Sequence, residues 1–165
     1  MKLFIRYFLI LLILSGMSCS KFKHPTDDEL INNFNATKEL FTKMIKMIEI
    51  DTNLKRVDDN WTSPDDHSSI GISKKRISEY RKLFIKCNVP RGFSAFHKEE
   101  EIQFIASCFG LATGGSCKGY VYKKVKPPET EIVSSIDDYI PKNSRSYRIY
   151  LHIEDNWYLF YDYDD

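Results

Sequence analysis

Tyr147, Ile149, Leu151 and Ile153 alternate with Arg148, Tyr150 and His152, and after Glu154-Asp155-Asn156 the chain returns through an aromatic run over 157–163. A period of two is the period of a strand and puts alternate side chains on one face. Asp155-Asn156 suits a two-residue hairpin loop, because both residue types tolerate positive φ. The chain is thus committed to an antiparallel hairpin near its C-terminus. A second hairpin is expected upstream. Residues 101–108 place Ile102, Phe104, Ala106 and Cys108 on one side. The Gly-rich segment 110–116 turns the chain. Residues 117–124 then return with Tyr120 and Tyr122 on one side and Val121 on the other. Between the hairpins, 125–144 carries Pro127, Pro128 and Pro141 and reads as a connecting loop.

Helical spacing dominates earlier in the chain. Thr26 with Glu29 three places on forms a capping box, and Asp27 and Asp28 favour the positive end of the helix dipole. Leu30, Phe34, Phe41, Met44, Ile45 and Ile48 follow as one stripe, which predicts a helix over 27–50. A second helix is expected from Ser73. Ile77, Tyr80, Leu83, Phe84 and Cys87 form its apolar face, and Asn88 and Pro90 end it. The intervening residues 51–71 are rich in Asp, Asn and Pro and read as a long loop, with Trp61 and Val57 expected to pin it to the core. The resulting fold class is α+β: two N-terminal helices packed on a four-stranded antiparallel sheet made of two β-hairpins.

The first residues read differently. Lys2 and Arg6 give a basic start, 7–14 form a short apolar run, and Leu14-Ser15-Gly16-Met17-Ser18 leads into Cys19. The run is shorter than the roughly 20 apolar residues that a membrane-spanning helix needs. No A-x-A-like cleavage site is present. This segment resembles a bacterial lipoprotein signal ending in a lipobox. The resemblance implies removal of residues 1–18, a lipid-modified Cys19, a tether over 19–25 and a single domain over 26–165. Lipoproteins of that type carry three acyl chains (palmitate among them), and each buried CH2 contributes about 0.8 kcal/mol, so the anchor is effectively permanent. Ser20 after the cysteine implies the outer membrane, facing the periplasm. The segments Val89-Pro90-Arg91-Gly92-Phe93, Lys118-Gly119-Tyr120 and His152-Ile153-Glu154-Asp155-Asn156-Trp157-Tyr158 resemble a small, uncharacterised family of Gram-negative lipoproteins to which no activity is attached.

Charge and cysteines narrow the possible functions. Losing Lys2 and Arg6 reduces the 24 basic residues to 22 against 23 acidic ones. Phosphate backbones need a basic excess, so nucleic acid is not an expected partner. An exported chain permits disulfides. Cys108 and Cys117 flank the Gly-rich turn and could join across the hairpin, Cys87 could face Cys108 inside the core, and all three could be buried thiols. Their spacing suits neither zinc nor C-x-x-C redox chemistry, so no metal and no cofactor are expected.

His97 before Glu99-Glu100-Glu101, and His67 beside Asp65 and Asp66, read as solvated turns rather than catalytic groups. The C-terminal hairpin offers more. Arg148, Tyr150 and His152 share a face, to which the neighbouring strand offers either Tyr158 and Phe160 or Trp157, Leu159 and Tyr161. With Tyr158 and Phe160 there, this suggests an aromatic and basic binding surface. No nucleophile carries a local signature such as G-x-S-x-G. The expected function is a membrane-anchored envelope lipoprotein that binds a protein partner without catalysis. The alternatives are an immunity protein against a periplasm-directed toxin and a small envelope hydrolase. Replacing Cys19 with Ala is expected to move the protein from the membrane to a soluble exported fraction, or to leave it as an uncleaved precursor. Fractionation that leaves the Cys19→Ala protein with the membranes, as in the parent, contradicts the anchor.

Overall fold

The computed structural model describes residues 23–111, 114–141 and 146–165, so Cys19 and the signal segment lie outside the described residues. Helix α1 spans Asp27–Ile50 and starts at the capping box: Thr26 accepts from the Glu29 amide, and the Glu29 side chain accepts from the Thr26 amide. Helix α2 spans Lys74–Lys86, capped by the Ser73 hydroxyl on the Arg76 amide. Both helices pack an apolar stripe onto one sheet.

Among the described residues that sheet has seven strands, not the expected four. They are β1 (Arg56–Val57), β2 (Thr62–Ser63), β3 (Phe93–Phe96), β4 (Glu101–Leu111), β5 (Gly114–Lys123), β6 (Tyr147–Glu154) and β7 (Trp157–Asp164). Their order across the sheet is β2-β1-β3-β4-β5-β7-β6, every neighbouring pair antiparallel. The two expected hairpins form the β4–β5–β7–β6 half. The other three strands were not anticipated, because two to four residues are too few to show a period. They form by pairing: Val57 lies opposite both Thr62 and Phe93, and Phe93 opposite Phe104. The expected loop over 51–71 therefore contains a small hairpin and a 3-10 turn, His67–Ile70. Val57 is fully buried, whereas Trp61 is exposed, with the Arg56 guanidinium over its ring at 5.2 Å. The β1–β2 turn is therefore fixed by Val57 without Trp61.

Gly92 links α2 to β3 at φ +65°, with the Val57 carbonyl oxygen 1.9 Å from where a Cβ would stand. Only glycine fits there. Gly119 in β5 has a similar role, since a Cβ would fall 2.2 Å from the Phe104 carbonyl oxygen. Opposite it, the β4–β5 register slips between Ile105 and Ser107. A bulge beside a strand glycine bends and coils a sheet.

The coil is large. Arg148 is level with Asp162, Cys117 and Cys108 across three strand steps, and Glu101 lies at the opposite end of β4. On a flat sheet, steps of about 4.8 Å and a run of about 20 Å along the strand would keep them apart. Instead Arg148 Nη1 lies 3.3 Å from Glu101 Oε1. The face away from the helices is therefore concave.

The main core fills the space between helices and sheet. Phe34 and Phe41 of α1 pack on Tyr120, Trp157 and Phe104, with ring centroids 4.8–6.1 Å apart. Tyr80 and Phe84 of α2 pack on Phe93. A smaller core on the concave side joins Ile105, Val121, Tyr150, Tyr158 and Phe160. The outer edge of β6 is partly covered, because the Val133 amide donates to the Tyr150 carbonyl at 2.8 Å. Phe41 is fully buried and touches four other rings. Phe41→Ala is expected to cost about 3–5 kcal/mol of unfolding free energy in a denaturant titration. A loss below about 1 kcal/mol would mean that α1 does not seat this ring.

Candidate functional site

The expected binding surface of Arg148, Tyr150, His152, Tyr158 and Phe160 is corrected by burial. Tyr150, Tyr158 and Phe160 are 3%, 4% and 0% exposed and form the smaller core. Strand register, with Tyr150 opposite Phe160 and His152 opposite Tyr158, decides between the two sets left open and puts Tyr158 and Phe160 on this face. The coil then closed that face over them. His152 stays exposed, edge-on to Tyr158, and shares a 3.1 Å hydrogen bond with the Asp155 carbonyl that braces its own turn.

Arg148 is the member of this group that reaches a cleft. Its guanidinium forks onto Asp162, with Nη2 donating to Oδ2 at 2.6 Å and Nε donating to Oδ1. A planar guanidinium matches a carboxylate in this two-bond geometry. Glu101 is buried at 4% exposure. It accepts from Gln103 Nε2 at 2.5 Å and pairs with Lys123, while Arg148 approaches its other side. Burial works against the Arg148 charge, but the Asp162 carboxylate holds its pKa above the ordinary arginine value. Burial, then the Glu101 charge, push the Tyr150 hydroxyl up to about 12. At neutral pH Tyr150 is therefore a neutral phenol and cannot act as a base. Each charge in this network already meets an opposite one, so the network braces the coil.

Beyond Arg148 the concave face opens into a groove of about 920 Å³. Its floor includes Cys108 and Cys117, which are joined by a disulfide with Cα atoms 4.1 Å apart. Gly110, Gly114 and Gly115 expose backbone along it, Arg91 and Asp164 flank it, and Phe109, Tyr147 and Tyr163 border it while their rings pack on the helix side. The third thiol, Cys87, is buried under α1, and burial pushes its pKa up to about 11. It is an inert core residue at neutral pH.

A second cluster lies on the helix side of the same sheet end, and sequence reading missed it. His24, in the expected tether, sits between two serines, with Nδ1 2.6 Å from Ser107 Oγ and Nε2 2.8 Å from Ser116 Oγ. Its ring packs against Phe109 and Tyr161, with centroids at 4.6 and 5.4 Å. Burial, then the Lys118 charge, lower its pKa, so the ring is neutral at pH 7. Both ring nitrogens are taken by hydroxyls and no carboxylate orients the ring, unlike a nucleophile-activating histidine. Next to it, Lys118 is 1% exposed. Its Nζ lies 2.6 Å from Asp137 Oδ1 and 2.8 Å from Asp27 Oδ1, the latter an ion pair without hydrogen-bond geometry. Asp27 Oδ2 also accepts from the amides of Ile136, at 2.7 Å, and Asp137. No sequence signal marks this cluster, because its members are spread over 24–137 and lack a spacing rule.

The other expected candidates stay apart. His97 is exposed in its turn, and His67 Nδ1 is bonded to the Ile72 carbonyl at 2.7 Å. Among the described residues, no group of three or more His, Cys, Asp or Glu is placed to hold a metal ion, and no helix is long and apolar enough to cross a membrane.

Asp137 yields a pH test. Its partial burial would raise its pKa, but the Lys118 ammonium outweighs that and holds it below the ordinary carboxylate value. A depressed folded-state pKa contributes stability above the unfolded value, near 4, and that contribution is lost as pH falls through the folded one. Melting temperature should therefore fall below about pH 4, and Asp137→Asn should shrink that drop. An acid limb identical in parent and variant would show that this pair does not contribute. No family model, no curated protein and no solved structure matches the chain.

Proposed function

We propose that this chain is a lipid-anchored envelope protein that works without catalysis and holds a protein partner in the groove at the disulfide end of its sheet. The observation that carries this reading is the make-up of the groove. Its lining includes Arg91 and Arg148, a residue type enriched at protein interfaces, beside bare backbone at Gly110, Gly114 and Gly115, and it is open along its length rather than enclosed. A small-molecule site would bury most of its ligand. The disulfide and the Arg148–Asp162 fork fix the floor, so little conformational freedom remains to be lost on binding. Both ring nitrogens of His24 are taken up by Ser107 and Ser116. Cys19 supplies the tether through its acyl chains.

A photo-cross-linking residue placed at Arg91 or Asp164 in the intact envelope should trap one defined species. The same residue at Lys82, exposed on α2, should trap none. Arg148→Ala should weaken capture of that species by at least about tenfold, as loss of a central interface arginine does. Equal trapping at Lys82, or none at the groove, would overturn this reading.

A further inference from the structure

The contacts of His24 set where the tether leaves the domain. It is held between Ser107 of β4 and Ser116 of β5, beside the disulfide end of the sheet. Cys19 is five residues earlier, a span of at most about 18 Å even when fully extended. A chain held at Cys19 by lipid therefore keeps this end of the sheet close to the bilayer. The opposite end, where Ile50 closes α1 and Lys124 pairs with Glu49, is farther by the length of α1, roughly 36 Å for its 24 residues.

The surface at the tethered end suits that position. Aromatic rings run through it in contact: Phe109 to His24, His24 to Tyr161, Tyr161 to Tyr147, and Tyr147 to both Tyr139 and Tyr163, with centroids 4.6–6.0 Å apart. These tyrosines are partly buried, with apolar rings and polar tips. Such side chains collect at the headgroup level of membranes. Among the described residues the far end has no such band; there the exposed apolar residues Ile50, Phe96 and Val125 stand among the charged residues Glu49, Lys98 and Lys124.

We infer that His24 docks the tether so that this tyrosine-lined end rests on the lipid headgroups, with the mouth of the groove at the membrane surface. The inference rests on the anchor proposed for Cys19. It deepens that reading by requiring a partner whose bound segment lies at the membrane.

The test uses the chain from Cys19 onward, which keeps every described residue. Cys19 is coupled through maleimide to lipid in a nanodisc, Cys87 being buried and Cys108 and Cys117 paired. Gadolinium-chelate headgroups in the disc then broaden nearby amide signals. Amides of 107–110 and 161–164 should relax at least about tenfold more than those of 48–50 and 96–98, given the length of α1. In His24→Ala the free tether lengthens by only about 11 Å, to Asp27, so the difference should shrink by at least about twofold while the spectrum stays folded. Equal broadening of the two ends in the parent, or an unchanged difference in His24→Ala, overturns the docking. Because the lipid is attached chemically, this result does not depend on natural acylation. The mass of the envelope-purified protein decides that point, and an absent acyl mass overturns the anchor and with it the membrane seat in the cell.

Discussion

Lys118 is the point on which the arrangement turns. It projects from β5 into the helix side of the sheet, where it is almost wholly cut off from water, and meets Asp27 and Asp137. A buried ammonium is costly unless paired, so its presence forces two carboxylates to converge on it. One stands in the first turn of α1 and the other in the connection from β5 to β6. Asp27 in turn holds the amides of Ile136 and Asp137. One lysine thus ties the start of the long helix, the middle of the sheet and a proline-rich connection. His24 lies three residues before Asp27, so the direction in which the chain enters the domain follows from the same contact.

The second constraint is the coil of the sheet. The bulge at Ala106 and the close approach at Gly119 bend β4 and β5 until Arg148 reaches Glu101. The two faces then take different roles. The helix side carries the aromatic core around Phe41 and Trp157. The concave side buries a small core at its centre and opens into the groove at one end. On the concave side Arg148, Asp162, Glu101 and Lys123 are spent on one another.

How legible these features were in the sequence depended on how local their causes are. Both helices and both long hairpins could be read because capping, helical spacing and strand alternation act within a few residues. Asp27–Ile50 begins at the capping box that the Thr26 and Glu29 pair signals. The short strands β1, β2 and β3 could not be read, because Val57, Thr62 and Phe93 become strand residues only by pairing with one another and with β4. Alternation left open whether Tyr158 and Phe160 share the face of Tyr150, which needed the strand register, and it carries no information on whether a face is later closed by coil. The Lys118 and His24 clusters were invisible for a related reason. Lysine, histidine and serine at surface-like positions look solvated until the fold brings their partners to them.

Lys118 locks the start of α1 to β5. A double-mutant cycle on Lys118→Met and Asp27→Asn, read by chemical unfolding, measures that lock directly. Coupled burial predicts that the two substitutions together differ from the sum of the singles by at least about 1 kcal/mol. Strict additivity would show that the ammonium and the carboxylate stabilise the fold independently, and the account of how the helix, the connection and the tether are positioned would not stand.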